Sequence, residues 1–274
     1  MKLISFSVNG ESRRPGALAE DGSITDLSAL YKDELAVIAA GLKQSPHGPR
    51  HQAGSFRLHA PLANPPRLFA IGLNYRDHAK ESGMAIPTTP VVFFKMATAI
   101  IGPGEAIVLP KNSTQPDYEA EFAFVIGKGG YRIAADAWRE HVYGYTIVND
   151  VSARDVQSAT SQWNLSKSFP TFCPLGPAIV TADEIADPHA LRIGLSIDGE
   201  VLQNSNTSEL VFGIPALIEY ISSITPLLAG DIVSTGTPPG VGLGRNPKRW
   251  LKPGETVTVT VEGLGELVNP VVAE

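Results

Sequence analysis

The sequence is poor in cysteine, and its single thiol, Cys173, rules out a disulfide within the chain. Such cysteine usage is typical of a reducing compartment, so we expect a cytoplasmic protein. In the context TFCPLGP we interpret Cys173 as a small buried residue rather than a nucleophile. The opening segment MKLISFSVNGESRR also lacks the basic flank and continuous apolar stretch of a secretion signal, which agrees with that expectation.

Long apolar runs and an excess of positive charge are missing as well. No segment approaches the roughly 20 apolar residues that cross a bilayer, so the sequence excludes a membrane-spanning helix. The chain of 274 residues carries 22 Lys and Arg against 28 Asp and Glu, a net charge of -6. Its basic residues are scattered, and the densest group, RNPKRW at 245–250, is typical of a solvated loop. We therefore exclude nucleic acid and membrane as partners.

The first part of the chain has the pattern of a small unit of its own. A strand is predicted near residues 2–8, and a helix is predicted over 27–42 with Asp26 as its N-cap. The segment APLANPPR then places three prolines in a short span, which is typical of a connector. We predict a small N-terminal domain and linker at 1–65 and a larger domain at 66–274.

The larger domain is dominated by short strand patterns separated by glycine and proline. Helical patterns are fewer, with the clearest at 136–141 and at 209–223, where Pro215 interrupts the second. The glycine-rich GTPPGVGLG follows a strand without opening a helix, so it is not a dinucleotide-binding motif. The predicted fold class is mostly β with α (α+β).

One strand pattern, QPDYEAEFAFVIGK at 115–128, places acids on one face and apolar residues on the other. Because strand side chains alternate, Asp117, Glu119 and Glu121 share a face. Two readings are open: a solvated outer face, or carboxylates that share a cation. Asp150 ends the apolar strand YGYTIVND and can converge with the acidic strand. An all-oxygen set favours Mg²⁺, Mn²⁺ or Ca²⁺ over zinc, copper or iron.

A second candidate lies in AIGLNYRDHAKESG. Asn74 is predicted to cap a short helix that Gly83 terminates, and His78 and Glu81 share a face of that helix. The carboxylate can orient the imidazole as a general base, although a surface histidine with an incidental acidic neighbour is the alternative. The following segment, MAIPTTP, is polar and rich in proline, as expected of a mobile lid.

Two further segments offer groups that could hold an anion or a substrate. Lys167 lies between aromatic residues in NLSKSFPTFCPLGP, where a buried ammonium requires an anion; the alternative is a lysine that reaches water. The segment STGTPPGVG offers the Thr237 hydroxyl and close backbone approach at Gly236, which suits a small carboxylate. A plain strand-to-loop turn is the alternative for that segment.

Taken in order, these motifs resemble the fumarylacetoacetate hydrolase family, in its acylpyruvase and 2-hydroxyhepta-2,4-diene-1,7-dioate isomerase branch. The resemblance spans residues 66–272 and rests on IGLNYRDHAKE, DYEAEFAFVIGK, NDVSARDVQ, KSFPTFCPLGP, GDIVSTGTPPGVG and VEGLGELVN. It implies a mixed β-roll or sandwich as the catalytic domain, a small N-terminal α+β domain and a homodimer. After KSF this chain has Pro170 where many relatives carry an acid or threonine, so the substrate of a close subgroup does not transfer.

The resemblance also implies roles for individual residues. The implied metal ligands are Glu119, Glu121 and Asp150, with Mg²⁺ or Mn²⁺ as the cofactor and Ca²⁺ as a substitute in crystals. The implied catalytic residues are His78, Glu81 and Lys167. The implied substrate-binding residues are Gln157, Thr237, Gly236, Tyr75 and Arg76.

The reaction expected from the resemblance is hydrolysis of a carbon–carbon bond in a β-diketo acid such as an acylpyruvate or fumarylpyruvate, as in the catabolism of aromatic compounds. A metal would stabilise the enolate that forms when the bond at C3 breaks, while His78 with Glu81 would activate water. The alternatives are an oxaloacetate decarboxylase, an isomerase or hydratase of 2-hydroxy-diene-dioates, and a metal-stabilised scaffold without catalysis.

Overall fold

The structure is a computed structural model that describes residues 1–83 and 85–274. Most of its regular structure is β. In chain order the strands are β1 (Lys2–Ser7), β2 (Arg14–Leu18), β3 (Ile24–Asp26), β4 (Arg50–His51), β5 (Arg57–His59), β6 (Leu68–Gly72), β7 (Val91–Lys95), β8 (Ile100–Ile101), β9 (Ile107–Leu109), β10 (Pro116–Asp117), β11 (Ala120–Ile126), β12 (Val142–Asn149), β13 (Ser152–Ala153), β14 (Cys173–Thr181), β15 (Arg192–Ile197), β16 (Glu200–Asn206), β17 (Ile232–Ser234), β18 (Thr256–Val261) and β19 (Gly265–Ala273).

The helices are short and lie between the strands. The α-helices are α1 (Glu34–Ala39), α2 (Arg76–Ser82), α3 (Trp138–His141), α4 (Arg154–Ala159) and α5 (Ile214–Ile224). Single 3₁₀ turns occupy Ala97–Ala99, Ala135–Ala137, Ala182–Glu184, Thr207–Glu209 and Gly242–Gly244. The content of strands and helices confirms the predicted class, mostly β with α.

A long mixed sheet and a smaller sheet form the body of the protein. The long sheet has the order β4-β3-β2-β1-β14-β12-β11-β17-β6-β7, with β5 also on β1 and β8 on β14. The smaller sheet has the order β16-β15-β18-β19-β9, and β10 pairs with β13. The N-terminal strands join the long sheet where β1 runs antiparallel to β14, with Leu3 opposite Ile179. The domain boundary near residue 65 stays a prediction.

The largest hydrophobic core lies between the two sheets. Phe122 and Phe124 of β11 and Tyr145 of β12 belong to the same buried cluster as Leu195 of β15 and Val259 of β18. Because alternate residues of each strand face this core, Glu121 lies on the opposite face of β11, where Ala123 and Val125 belong to a second buried cluster. Of the acids discussed below, Glu121 lies on β11, Glu119 directly precedes that strand and Asp150 directly follows β12.

Two helices differ from their predicted bounds. The helix expected over 27–42 covers only Glu34–Ala39, and its N-cap is Asp33, whose side chain accepts the Ala36 N–H at 2.8 Å. It starts late because Asp26 is still paired in β3 and its carboxylate accepts the backbone N–H of Ser28. The later helix is not interrupted by Pro215: it begins at Ile214, since proline fits the first turn, where its missing N–H is not needed.

Cys173 is fully buried, and burial raises the pKa of its thiol to about 12. Its interpretation as a small core residue is therefore confirmed, because a thiol that stays protonated is a weak nucleophile. Among the residues that the structure describes, no helix is long and apolar enough to span a bilayer.

Candidate active site

Two antiparallel strands bring the predicted acidic residues together. β11 pairs with β12 with Glu121 opposite Val148, and the backbone N–H of Asp150 donates to the carbonyl of Glu119 at 2.9 Å. One carboxylate oxygen from each of Glu119, Glu121 and Asp150 lies within 4.8 Å of the other two. The convergence of the acidic strand with the end of the next strand therefore occurs in the structure.

These three carboxylates, which we call the acidic triad, are buried. Glu119 is 5% exposed, Glu121 is 1% exposed and Asp150 is 0% exposed. The solvated outer face that was the alternative for this strand is therefore excluded. Ionised carboxylates removed from water require compensating cations or hydrogen bonds, because their desolvation is costly.

Lys167 supplies part of this compensation. Its ammonium lies 2.6 Å from Glu119 Oε2 and 2.7 Å from Asp150 Oδ2, and the residue is 2% exposed. The alternative of a lysine that reaches water is thus wrong. Burial alone would lower the pKa of Lys167, but Asp150 and Glu119 outweigh it and raise that pKa. The ammonium is therefore a fixed positive charge rather than a base at neutral pH.

Two further cations at the triad were missed from the sequence. Lys95 donates to Asp150 Oδ1 at 2.6 Å and to the carbonyl of Val151 at 3.3 Å. Arg154 donates to Glu119 Oε1 at 2.6 Å. Both side chains are almost fully buried. The sequence gives only weak evidence for this role of Lys95. A lysine at the end of an apolar strand pattern such as VVFFK more often lies at the protein surface.

Asp117, predicted on the same strand face, lies on β10 rather than on β11 and has a structural role. It is fully buried, and its carboxylate accepts the Arg154 Nε–H at 2.8 Å and the backbone N–H groups of Tyr118, Gly242 and Leu243 at 2.8, 2.7 and 3.0 Å. It thereby ties the acidic strand to the loop that follows β17. The sequence pattern does not predict these hydrogen bonds, because Arg154, Gly242 and Leu243 are distant from Asp117 in the chain.

Glu119 and Glu121 have opposite electrostatic environments. Burial disfavours the ionised form of Glu119, but Arg154 and Lys167 outweigh it and hold the pKa of that carboxyl well below its usual range. Burial, followed by the charges of Asp150 and Glu119, raises the pKa of Glu121 well above its usual range. Its surroundings therefore disfavour the ionised form of Glu121.

The residues of the triad fit a hard divalent cation. All the converging ligand atoms are carboxylate oxygens, which Mg²⁺ and Mn²⁺ prefer. The Ser234 hydroxyl and the Gly236 N–H, at 2.5 and 3.1 Å, both donate to Oε2 of Glu121 and orient that carboxylate. A divalent ion would supply positive charge next to Glu121, whose ionised form is disfavoured by burial and by the charges of Asp150 and Glu119.

The predicted histidine–carboxylate pair is present on α2. His78 Nδ1 lies 3.2 Å from Glu81 Oε2, and the Gly240 N–H donates to both Glu81 oxygens at 3.1 and 3.2 Å. Gly83 ends the helix in the left-handed conformation, as predicted. The N-cap, however, is Tyr75 rather than Asn74, whose amide instead bonds both the N–H and the carbonyl of Phe212.

The segment expected to form a lid follows this helix. It begins at Met84, which lies outside the described residues. The residues at 85–90 have no regular secondary structure, and a lid role for them stays a prediction.

One cavity of about 770 Å³ joins the triad to the histidine–carboxylate pair. Its wall includes Phe93 and Trp163, whose rings pack edge to face with centroids 5.6 Å apart, and the exposed Lys248. The predicted site residues that line it are His78, Glu81, Glu119, Glu121, Asp150, Gln157, Lys167 and Thr237. A cavity of this size with convergent polar groups is typical of a small-molecule site.

Gln157 and Thr237 are held by other side chains. The Gln157 side-chain oxygen accepts a hydrogen bond from Arg154 at 2.9 Å. The Thr237 hydroxyl accepts one from the Gln203 amide, also at 2.9 Å. Both side chains are thus positioned at the cavity before any ligand binds, which suits a substrate-binding role.

Three predicted substrate-binding residues are placed differently. Arg76 does not line this cavity: its guanidinium donates to the carbonyls of Ser208 and Leu210 at 3.3 and 2.7 Å, on the outer side of α2. We therefore remove Arg76 from the candidate set. The Gly236 N–H donates a hydrogen bond to Glu121, a predicted metal ligand, at 3.1 Å. Tyr75 is fully buried, and its hydroxyl has no hydrogen-bond partner in the described parts of the chain.

The buried acidic triad, the lysine beside it and the histidine–carboxylate pair share one cavity and define a candidate enzyme site that could hold a metal ion. The sequence profile of the fumarylacetoacetate (FAA) hydrolase C-terminal family matches residues 67–272. The chain belongs to this family.

Named relatives include several kinds of enzyme. The mitochondrial oxaloacetate tautomerase of Xenopus laevis is 42% identical, and the match covers 99% of this chain and 90% of that protein. Fumarylacetoacetate hydrolase from Exiguobacterium antarcticum has a TM-score of 0.90 at 35% identity, with 100% of both chains covered.

Two further solved structures bear on the chemistry. The 2-hydroxyhepta-2,4-diene-1,7-dioate isomerase from Mycobacterium marinum has a TM-score of 0.78 at 32% identity and covers 100% of this chain and 99% of its own. Maleylpyruvate hydrolase from Sphingobium sp. SYK-6, in complex with manganese(II) and pyruvate, has a TM-score of 0.81 at 28% identity, with the same coverage. The chain is thus similar to hydrolases, isomerases and tautomerases of one family.

Proposed function

We propose that this protein is a divalent-metal-dependent enzyme that interconverts the keto and enol forms of a 2-oxo acid, with oxaloacetate as the substrate. The observation that carries the proposal is the Lys167 ammonium, which lies between Glu119 and Asp150 in the same cavity as His78. A base and a fixed positive charge that face one cavity suit proton removal next to a keto group. The name of the Xenopus relative supports oxaloacetate as the acid.

The acidic triad would hold Mg²⁺ or Mn²⁺, which would act as a Lewis acid toward the 2-oxo acid end of the substrate. Manganese in the maleylpyruvate hydrolase structure supports this choice of cofactor. The side-chain geometry of Glu121, fixed by Ser234 and Gly236, would orient one ligand before the ion binds.

The protein's own groups would then carry the proton transfer. The imidazole of His78, oriented by Glu81, accepts a proton from C3 of the substrate, and the negative charge moves to the 2-oxo oxygen. Lys167, whose raised pKa keeps it charged, stabilises that oxygen. Return of the proton from the imidazolium to the oxygen completes the enol, so that no atom is gained or lost.

Hydrolysis of an acylpyruvate is the second candidate, and the histidine–carboxylate pair favours it together with the maleylpyruvate hydrolase likeness. Here His78 takes a proton from water, the oxygen of which adds to the C4 carbonyl. The C3–C4 bond then breaks toward C3, the acyl group leaves as a carboxylic acid, and Lys167 stabilises the pyruvate enolate until C3 is protonated. Isomerisation of a diene-dioate would use the same base without water.

The test is a substrate panel on the purified protein with Mg²⁺ or Mn²⁺: enol oxaloacetate, acetylpyruvate and fumarylpyruvate, followed by the ultraviolet absorbance of the enol. We expect oxaloacetate tautomerisation to exceed hydrolysis. His78→Ala should lower the rate by about 10² to 10⁴, the usual contribution of a positioned base, with Mg²⁺ affinity retained. Decarboxylation of oxaloacetate, which needs no base at C3, should fall less.

His47→Ala is the matched control, because His47 is exposed and does not line the cavity. An unchanged tautomerisation rate in His78→Ala would remove the pair from the mechanism. Metal binding without turnover of any acid would support the scaffold alternative instead.

The homodimer and the cytoplasmic location remain predictions. Light scattering of the purified protein would test the first. The Xenopus relative is named as mitochondrial, so localisation of a tagged full-length protein is the direct test of the second.

A further inference from the structure

Three lysine or arginine side chains line the active-site cavity, counted over the described residues: Arg154, Lys167 and Lys248. The first two are committed to acids of the protein. Arg154 forms ion pairs with Asp117 and Glu119, and Lys167 forms ion pairs with Glu119 and Asp150. Lys248 differs, because no acidic side chain in the described ranges forms an ion pair with it. A cation that lines a cavity without such a partner is available to a ligand anion.

The loop that carries Lys248 is anchored at the residue that follows the lysine. The N–H of the next residue, Arg249, donates to the carbonyl of Gly242 at 3.1 Å, and its guanidinium lies 2.8 Å from Glu255. The Lys248 ammonium itself lies 5.9 Å from the centroid of the Trp250 ring. The backbone next to Lys248 is therefore held in place, while Lys248 itself is exposed and lines the cavity.

We propose that Lys248 determines specificity by binding the second carboxylate of a 2-oxo dicarboxylate. The 2-oxo acid end would lie at the triad and Lys167, and the distal carboxylate would reach the ammonium of Lys248 at the open part of the same cavity. This inference rests on the proposed function and adds the residue that separates diacids from acids with a neutral tail.

The cavity also contains a competing apolar surface. Phe93 and Trp163 line its wall and could pack against an uncharged acyl tail. If that wall dominated, a 2-oxo monocarboxylate would bind as well as a diacid of equal length. The experiment therefore measures the ratio of the affinities for a diacid and for a monocarboxylate of equal length.

The experiment compares two acids of the same chain length, 2-oxoglutarate and 2-oxopentanoate, by isothermal titration calorimetry of the full-length protein with saturating Mg²⁺. The wild type should bind the diacid about tenfold more tightly, which corresponds to about 1.4 kcal/mol. Lys248→Met should remove this preference and leave the affinity for 2-oxopentanoate unchanged. Lys248→Arg should retain it, since the charge is kept.

Lys252→Met is the matched control: Lys252 is exposed, lies close in sequence and does not line the cavity. The Lys252→Met variant should prefer the diacid to the same extent as the wild type. In turnover, Lys248→Met should raise KM for oxaloacetate about tenfold at constant kcat, because the distal contact is the same in the ground state and the transition state. The preference should also decline between 50 and 500 mM NaCl.

Two results would overturn the inference, and they are distinguishable. If the wild type binds both acids and Lys248→Met leaves their ratio unchanged, the role of Lys248 is wrong while 2-oxo acid binding stands. If the wild type binds neither acid in the presence of Mg²⁺, the proposed function fails and the inference fails with it.

Discussion

Replacement of Lys95 by Met tests whether the cations around the triad stabilise the folded protein. The Lys95 ammonium is completely buried and contacts Asp150 Oδ1 at 2.6 Å, as well as the backbone carbonyls of Val151 and Lys167. Methionine has a similar volume but no charge, so the variant keeps the packing and leaves Asp150 with one cation fewer. We expect Lys95→Met to fold but to be less stable.

The magnitude follows from the burial of both partners. Removal of one member of a buried ion pair costs about 3–5 kcal/mol, because the remaining charge stays desolvated. Within the described residues, three buried cations form ion pairs with Asp117, Glu119 and Asp150 at this site, so the variant leaves three paired carboxylates with two cations. At roughly 2 °C per kcal/mol for a chain of this size, the melting temperature should fall by about 6–10 °C.

Urea and thermal unfolding in EDTA provide the measurement, with a parallel series in Mg²⁺. The loss should be smaller in Mg²⁺, because a bound divalent ion restores positive charge. Lys128→Met is the control: Lys128 lies 3.6 Å from Glu140, and both side chains are exposed, so its loss should cost less than about 1 kcal/mol. If Lys95→Met unfolded in EDTA like this control, the charge-balance reasoning would be refuted.

Three other substitutions test separate parts of the structure. Asp117→Ala should cost about 3–5 kcal/mol in urea unfolding because Arg154 loses a buried partner; a loss under 1 kcal/mol would contradict the anchoring role. Arg76→Ala should change KM by less than twofold in steady-state kinetics, since its guanidinium bonds a loop outside the cavity. Burial lowers the pKa of His189, whose Nε2 accepts the Ile214 N–H at 3.1 Å. The folded state therefore binds fewer protons, and stability should fall as pH drops below about 6.5, by at most about 1.4 kcal/mol per pH unit. His189→Gln should flatten that slope in unfolding measured from pH 7 to pH 5.

Several features of the site follow from local sequence. Alternation along a strand places Glu119 and Glu121 on one face whatever the neighbouring strands are, because successive side chains point in opposite directions. The spacing of three between His78 and Glu81 puts both on one side of a helix, and Gly83 can end that helix because it adopts a left-handed conformation without strain. These features depend only on the backbone period and could be predicted.

Other features exist only in the folded chain. Lys95 meets Asp150 across 55 residues and Arg154 meets Asp117 across 37, and no local pattern identifies such partners. The helix period leaves open which side of α2 faces the cavity, and in the fold Arg76 points outward. Charge compensation of a buried group depends on which distant strands pack against it, since the cost of desolvation is set by the whole environment. The sequence therefore determined which acids share a strand face, whereas the tertiary structure decided which cations balance them and which side chains reach the substrate.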